Sequence, residues 1–195
     1  RQLSGGERQR VALARALARE LPSHGWDVTV VSGSRRDLEG VGDAARFYAG
    51  LNVYAVSFDE ALASPDPLDP PPGFAPIQPS YEDRPGAPDR VFAMLDDDAY
   101  ERQVRAWARA LTIVDAAGFD ALHLHHLTPI HEAASRVAPA VPIIGHLHGT
   151  ELLMLEAIAA GPPPSWTHAE AWVERMRRWA HGCERLVLVS PSEIP

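Results

Sequence analysis

Apolar residues recur along the chain at two spacings, and the alternation between them predicts its elements. Over residues 6–21, Val11, Leu13, Ala14, Leu17, Ala18 and Leu21 share one broad helical face, with Arg8, Arg15 and Arg19 opposite. Ser4 stands at the N-cap position with Glu7 three residues on, as in a capping box, and Pro22 and Gly25 end the helix. The run Val28-Thr29-Val30-Val31 reads as a buried strand, stopped by Ser32-Gly33-Ser34. A second strand is expected at 52–56. Residues 64–88 are rich in proline and carry little periodicity, which predicts a long surface loop. Such loops are often functional, and a chemically silent insertion fits equally well. A helix follows at 98–117, with Tyr100, Val104, Trp107, Ala108 and Leu111 as its apolar stripe and acidic residues from Asp96 to Asp98 at its start. Then come a strand at 121–125, a helix at 129–138 and a strand at 142–147. A helix at 168–181 gathers Ala169, Trp172, Met176 and Trp179 on one side, and the last strand is expected at 186–189.

Strands alternate with helices throughout. Strands that are apolar on both faces, as at 28–31 and 186–189, belong in a covered parallel sheet. The expected architecture is a Rossmann-like, doubly wound α/β domain with a mainly parallel sheet, spanning 1–195 as a single unit. Ligands of such sheets bind at the carboxyl ends of the strands. The places to look are therefore the turns after Ser32, His125, Leu147 and Ser190, and the start of the first helix.

Composition narrows the classes. With 195 residues, the chain is long enough for one domain with a substantial core. No run approaches the roughly 18–20 apolar residues that span a bilayer. The chain begins at Arg1 and ends on Ser192-Glu193-Ile194-Pro195, just after an apolar run, so both ends are expected to be cuts through a larger protein. A net charge of -8 argues against nucleic acid as a partner. The one cysteine, Cys183, excludes an intrachain disulfide and fits a reducing, cytoplasmic setting. All 18 basic residues are arginine. Schiff-base chemistry and a P-loop lysine are thereby excluded within the chain.

The opening segment Leu3-Ser4-Gly5-Gly6-Glu7-Arg8-Gln9-Arg10-Val11-Ala12-Leu13-Ala14-Arg15-Ala16-Leu17 resembles the signature of ABC-transporter ATPases. That resemblance would imply an ATP-binding subunit, with an anion at a helix start. In that family an apolar strand ending in an Asp-Glu pair follows closely. Here the next strand runs into Ser32-Gly33-Ser34-Arg35, and the chain's Asp-Glu pair, Asp59-Glu60, lies beyond the end of the second expected strand rather than at it. The same residues, taken with Gly25-Trp26-Asp27-Val28-Thr29-Val30-Val31-Ser32, resemble the start of family 4 glycosyltransferases of the GT-B type. Those enzymes open with a strand, a glycine-rich loop, a helix of the form Leu-Ala-Arg-Ala-Leu-Ala, and an Asp-Val-Thr-Val-Val strand. Their first strand would lie just before Arg1. Phosphate or acceptor contact by Ser4, Gly5 and Gly6 is what this resemblance implies; a simple helix-start turn is the plainer account.

The centre of the chain is rich in histidine. Leu122-His123-Leu124-His125-His126-Leu127-Thr128-Pro129 is a strand running into a turn, and Ile143-Ile144-Gly145-His146-Leu147-His148-Gly149-Thr150-Glu151 is the next strand and its exit. Strand alternation puts His123 with His125, and His146 with His148, on one face. Zinc accepts such ligands. There is, however, no His-Glu-x-x-His helix and no cysteine support, so no metal is expected. The resemblance to family 4 accounts for more of the pattern, since its strands end in turns of the form His-x-His and His-x-His-Gly-Thr that face the cleft. It implies that His148 serves catalysis by hydrogen-bonding the donor sugar or its phosphate. It also implies donor or acceptor contact by His125, His126, Gly149, Thr150, Glu151 and, where the chain crosses onward, Ser190. For Glu151, a helix-terminal carboxylate stabilised by the dipole is an equal alternative. His123 and His146 are expected to be structural, as are Trp172 and Trp179. Trp166 is the one tryptophan expected at a ligand. Arg175, Arg177 and Arg178 form a basic patch suited to a phosphate or an anionic membrane surface, with a solvated helix face as the plainer account.

The resemblance therefore implies the acceptor-side, amino-terminal half of a retaining transferase. Its partners would be a nucleotide-sugar co-substrate and a hydroxyl acceptor, with no further cofactor. The donor site would lie mainly on a second domain, so this piece alone should be inactive.

Overall fold

The structure is a computed structural model that describes residues 5–36, 42–84, 86 and 88–188, with the backbone alone described for residues 5–12. Each of its five described strands overlaps one expected from the apolar runs. Helix α1 (Gly5–Glu20) leads through a 3-10 turn into β1 (Thr29–Ser34). There follow α2 (Ala44–Phe47), β2 (Asn52–Ser57) and α3 (Asp59–Ala63). Helix α4 (Asp97–Ile113) precedes β3 (Leu122–His125), α5 (Pro129–Val137) and β4 (Ile143–Leu147). Helices α6 (Thr150–Ala159) and α7 (Ala169–Gly182) lead to β5 (Arg185–Leu188).

Every described strand pairing is parallel, and the fold is Rossmann-like α/β. The strands form two sheets, β1-β2 and β3-β4-β5. One core joins them. Phe58, just past β2, meets Trp107 of α4 edge-on at 6.4 Å, and Leu122 and Leu124 of β3 belong to the same cluster. Helix α4 starts where Asp96 caps it, its carboxylate accepting from the Ala99 N–H at 2.8 Å, and it buries Tyr100, Val104, Trp107 and Leu111 as the stripe predicts. On α7, Trp172 has no exposure at all. It stacks on Phe92 at 4.5 Å and meets Trp179 edge-on at 5.3 Å.

Five expectations change. Strand β5, expected to be covered on both faces, is largely exposed at Leu186 and Val187. Helix α4 stops at Ile113, short of residue 117, because Asp115 turns to a positive φ of 54° and starts a 3-10 turn. Helices α2, α3 and α6 had no counterpart in the periodicity. The proline-rich stretch is not simply a surface loop: Leu68 and Ile77 are buried with Leu95 and Ala99 in a small second core. There Gln103 Nε2 donates to the Ile77 carbonyl at 2.6 Å. Prolines hold such a segment extended without a hydrogen-bond ladder, so its packing rests on single side chains and leaves no period. Last, the basic patch is divided. Arg175 is buried, 3.8 Å over the Tyr100 ring and paired with Asp97, while Arg177 pairs with Glu174 and Arg178 with Glu132. Trp166 is half-buried against the core.

Candidate functional site

Strand β3 alternates buried leucine with half-buried histidine, which places His123 and His125 on one face. The parallel register sets His125 opposite His146, and His148 follows one residue past the end of β4. The four imidazoles stack as a ladder. His123 Nε2 lies 3.1 Å from His146 Nδ1, and His125 Nδ1 lies 2.9 Å from His148 Nε2. Each contact needs one ring nitrogen carrying hydrogen and one lone pair, so neutral tautomers satisfy both. Burial, then the proximity of the other imidazoles, pushes His125 down to about 3. His123 and His146 are lowered for the same leading reason.

The chain leaves the ladder at His126, whose φ of 63° is left-handed. That conformation costs on the order of 1–3 kcal/mol outside glycine and persists only where surroundings fix it. Here the His126 N–H donates to the His146 carbonyl at 2.8 Å, and the ring swings towards Glu151, where Nδ1 lies 2.7 Å from Oε1. Glu151 sits in the first turn of α6 and has no exposure. Its other oxygen accepts from the His148 N–H at 3.2 Å and the Thr150 hydroxyl at 3.3 Å. Gly149 makes the turn between strand and helix, with a φ of 87° that disfavours any side chain. Burial alone would raise the Glu151 carboxyl. The hydrogen bond and charge of His126, with backbone N–H groups, outweigh it and hold the carboxyl below its usual range.

With Nδ1 of His126 committed to Glu151, Nε2 is the nitrogen that can meet a ligand. Its side chain is 25% exposed. A carboxylate behind an imidazole fixes the tautomer and lets the outer nitrogen accept or return a proton. Tyr81 closes one side: its hydroxyl donates to the Leu127 carbonyl at 2.5 Å, and its ring is 5.7 Å from that of His126. Burial, then the Glu151 charge, raises the Tyr81 hydroxyl well above its usual value, so it remains a donor.

The structure thus brings together His125, His126, His148, Gly149, Thr150 and Glu151. Gly5 and Gly6 open α1, whose side-chain contacts lie towards α2: Arg15 is 4.8 Å over the Phe47 ring and Arg19 reaches the Ala49 carbonyl. Ser4 and Ser190 lie outside the described residues. Tyr81 was missed in the sequence, because nothing in a proline-rich run singles it out. His123 and His146 join the ladder, linked ring to ring. Among the described residues, His123, His125 and His146 also bring one ring nitrogen each within 4.8 Å of one another. No helix among the described residues is long and apolar enough to cross a membrane.

Parallel strands ending in a polar cluster beside a helix N-terminus are the place where open α/β sheets generally bind ligands. The model of Glycosyltransferase Family 4 matches residues 11–194, nearly the whole chain, and the chain belongs to that family. No curated protein and no solved structure matches it. The match begins inside the signature-like opening, at residue 11, and takes in its Val11 to Leu17 part.

Proposed function

We propose that this chain is the acceptor-side domain of a retaining glycosyltransferase, which moves a sugar from a nucleotide-sugar to an acceptor hydroxyl. The observation that carries the proposal is the Glu151 carboxylate. Wholly buried, it ties the exit of β3, through His126, to the exit of β4, through the His148 N–H. Two strand ends and a helix start are thereby locked into one polar surface. His126 presents Nε2 to the acceptor hydroxyl, and the N-terminus of α6 favours the phosphate charge that develops on the leaving group. His148, buried and engaged through Nε2 with His125, keeps the donor-contact role that the family resemblance implies. Positioning supplies most of the rate, without a cofactor. The donor nucleotide rests mainly on a second domain, so residues 1–195 alone do not turn over. The single free thiol, Cys183, fits a cytoplasmic setting.

The test uses the complete gene product with a panel of nucleotide-sugars and, separately, ATP. The proposal expects sugar transfer, or slow donor hydrolysis, with at least one nucleotide-sugar. Saturable ATP hydrolysis with no sugar turnover would overturn it.

A further inference from the structure

We infer that His123, His125 and His146 form a three-imidazole site for a divalent transition-metal ion of the zinc class. The three ring nitrogens lie within 4.8 Å of one another. Nitrogens at the corners of such a triangle sit at most about 2.8 Å from its centre, against roughly 2.0–2.1 Å for a zinc–imidazole bond. Side-chain adjustments of under about 1 Å therefore close the shell, and the backbones need not move.

The frame is rigid in the required sense. His123 and His125 stand on β3, and His146 stands on β4 directly opposite His125 in the parallel register. Sites held by strands keep their geometry better than sites on loops. The donor set selects the ion: imidazole suits zinc, copper, nickel and cobalt, whereas magnesium and calcium take oxygen. Glu151, a carboxylate beside the ladder, is already committed to His126. His148 supplies the outer support, because its Nε2 engages Nδ1 of His125 at 2.9 Å and fixes that ring's orientation. His146 is buried while His123 and His125 are half-buried, which leaves an approach for the ion and a coordination position for water or another ligand. Ligands drawn from two strands more than 20 residues apart make no local spacing motif, and the sequence pattern accordingly points away from a metal.

The test uses the complete gene product without an oligohistidine tag, stripped by a chelator and titrated with Co2+ as the probe. One Co2+ per chain is expected, with visible ligand-field bands and displacement by one equivalent of Zn2+. His123→Asn and His146→Asn should each weaken Zn2+ by more than the roughly 10–100-fold that outer-sphere changes cost. His181→Asn, on an exposed residue of α7, should leave binding unchanged. If the buried His146 variant fails to fold, His123→Asn decides, with its fold checked by circular dichroism. Absence of saturable Co2+ binding in the wild type, or undiminished binding in His123→Asn, overturns the proposal. Neither result depends on sugar transfer.

Discussion

Replacing Glu151 tests how the strand exits are held. Glu151→Ala removes the acceptor for three donors at once: the His126 ring N–H, the His148 backbone N–H and the Thr150 hydroxyl. A charge-assisted hydrogen bond contributes about 1.5–3 kcal/mol, and a broken buried pair costs about 3–5 kcal/mol. The His126 side chain keeps 25% exposure and recovers some hydration, which puts the expected loss near the lower limit, about 3 kcal/mol. Glu151→Gln keeps the shape and one acceptor oxygen but loses the charge, for about 1–2 kcal/mol. Urea unfolding reads both as shifts in midpoint at constant slope. The pH dependence sharpens the test. The folded carboxyl lies below its usual range, so the wild-type advantage over Gln is present above the unfolded carboxyl's titration. It is lost as pH falls through the lower, folded value. An Ala variant losing under about 1 kcal/mol, or a Gln variant equal to Ala, would refute the reasoning.

Neutral histidines shielded from water predict acid sensitivity: burial pushes half-buried His125 down to about 3 and buried His131 to about 4, against 6.5 for a free imidazole. The unfolded chain takes up their protons first, so each removes up to about 2 kcal/mol between pH 7 and pH 5. Chemical denaturation at the two pH values checks this, and a flat profile contradicts it. Trp172→Ala, at a site with no exposure, should cost about 3–5 kcal/mol by the same unfolding assay. A loss under about 1 kcal/mol would mean that the Phe92–Trp172–Trp179 stack is not a core element.

The legible parts of this molecule are those with a period. Apolar runs placed all five strands and the faces of α4 and α7, and the two-residue alternation put the histidines of β3 and β4 on one face. Helix α6 escaped because Leu152, Leu153, Met154 and Leu155 leave it no polar side, although only Met154 among these four is fully buried. Tyr81 and the inner half of the proline-rich stretch escaped because their packing depends on isolated side chains. The role of Glu151 was half visible. A helix-terminal carboxylate was one of its two readings, but its bond to His126 joins residues 25 apart in the chain. That bond depends on the left-handed turn at His126, which no propensity signals. The basic patch, for which a solvated helix face was the plainer account, is that face at Arg177 and Arg178 but not at buried Arg175; Asp97, Glu132 and Glu174 neutralise it, and two of them come from other helices.

The account stands most directly on His148. In the complete gene product, His148→Ala should lower kcat for sugar transfer by on the order of a hundredfold or more, the usual loss for a group acting on the transition state. His181→Ala, on an exposed residue of α7, should transfer at the wild-type rate, and both variants should unfold at midpoints that show a folded protein. Undiminished transfer by a folded His148→Ala enzyme would contradict the assignment of the chemistry to this cluster.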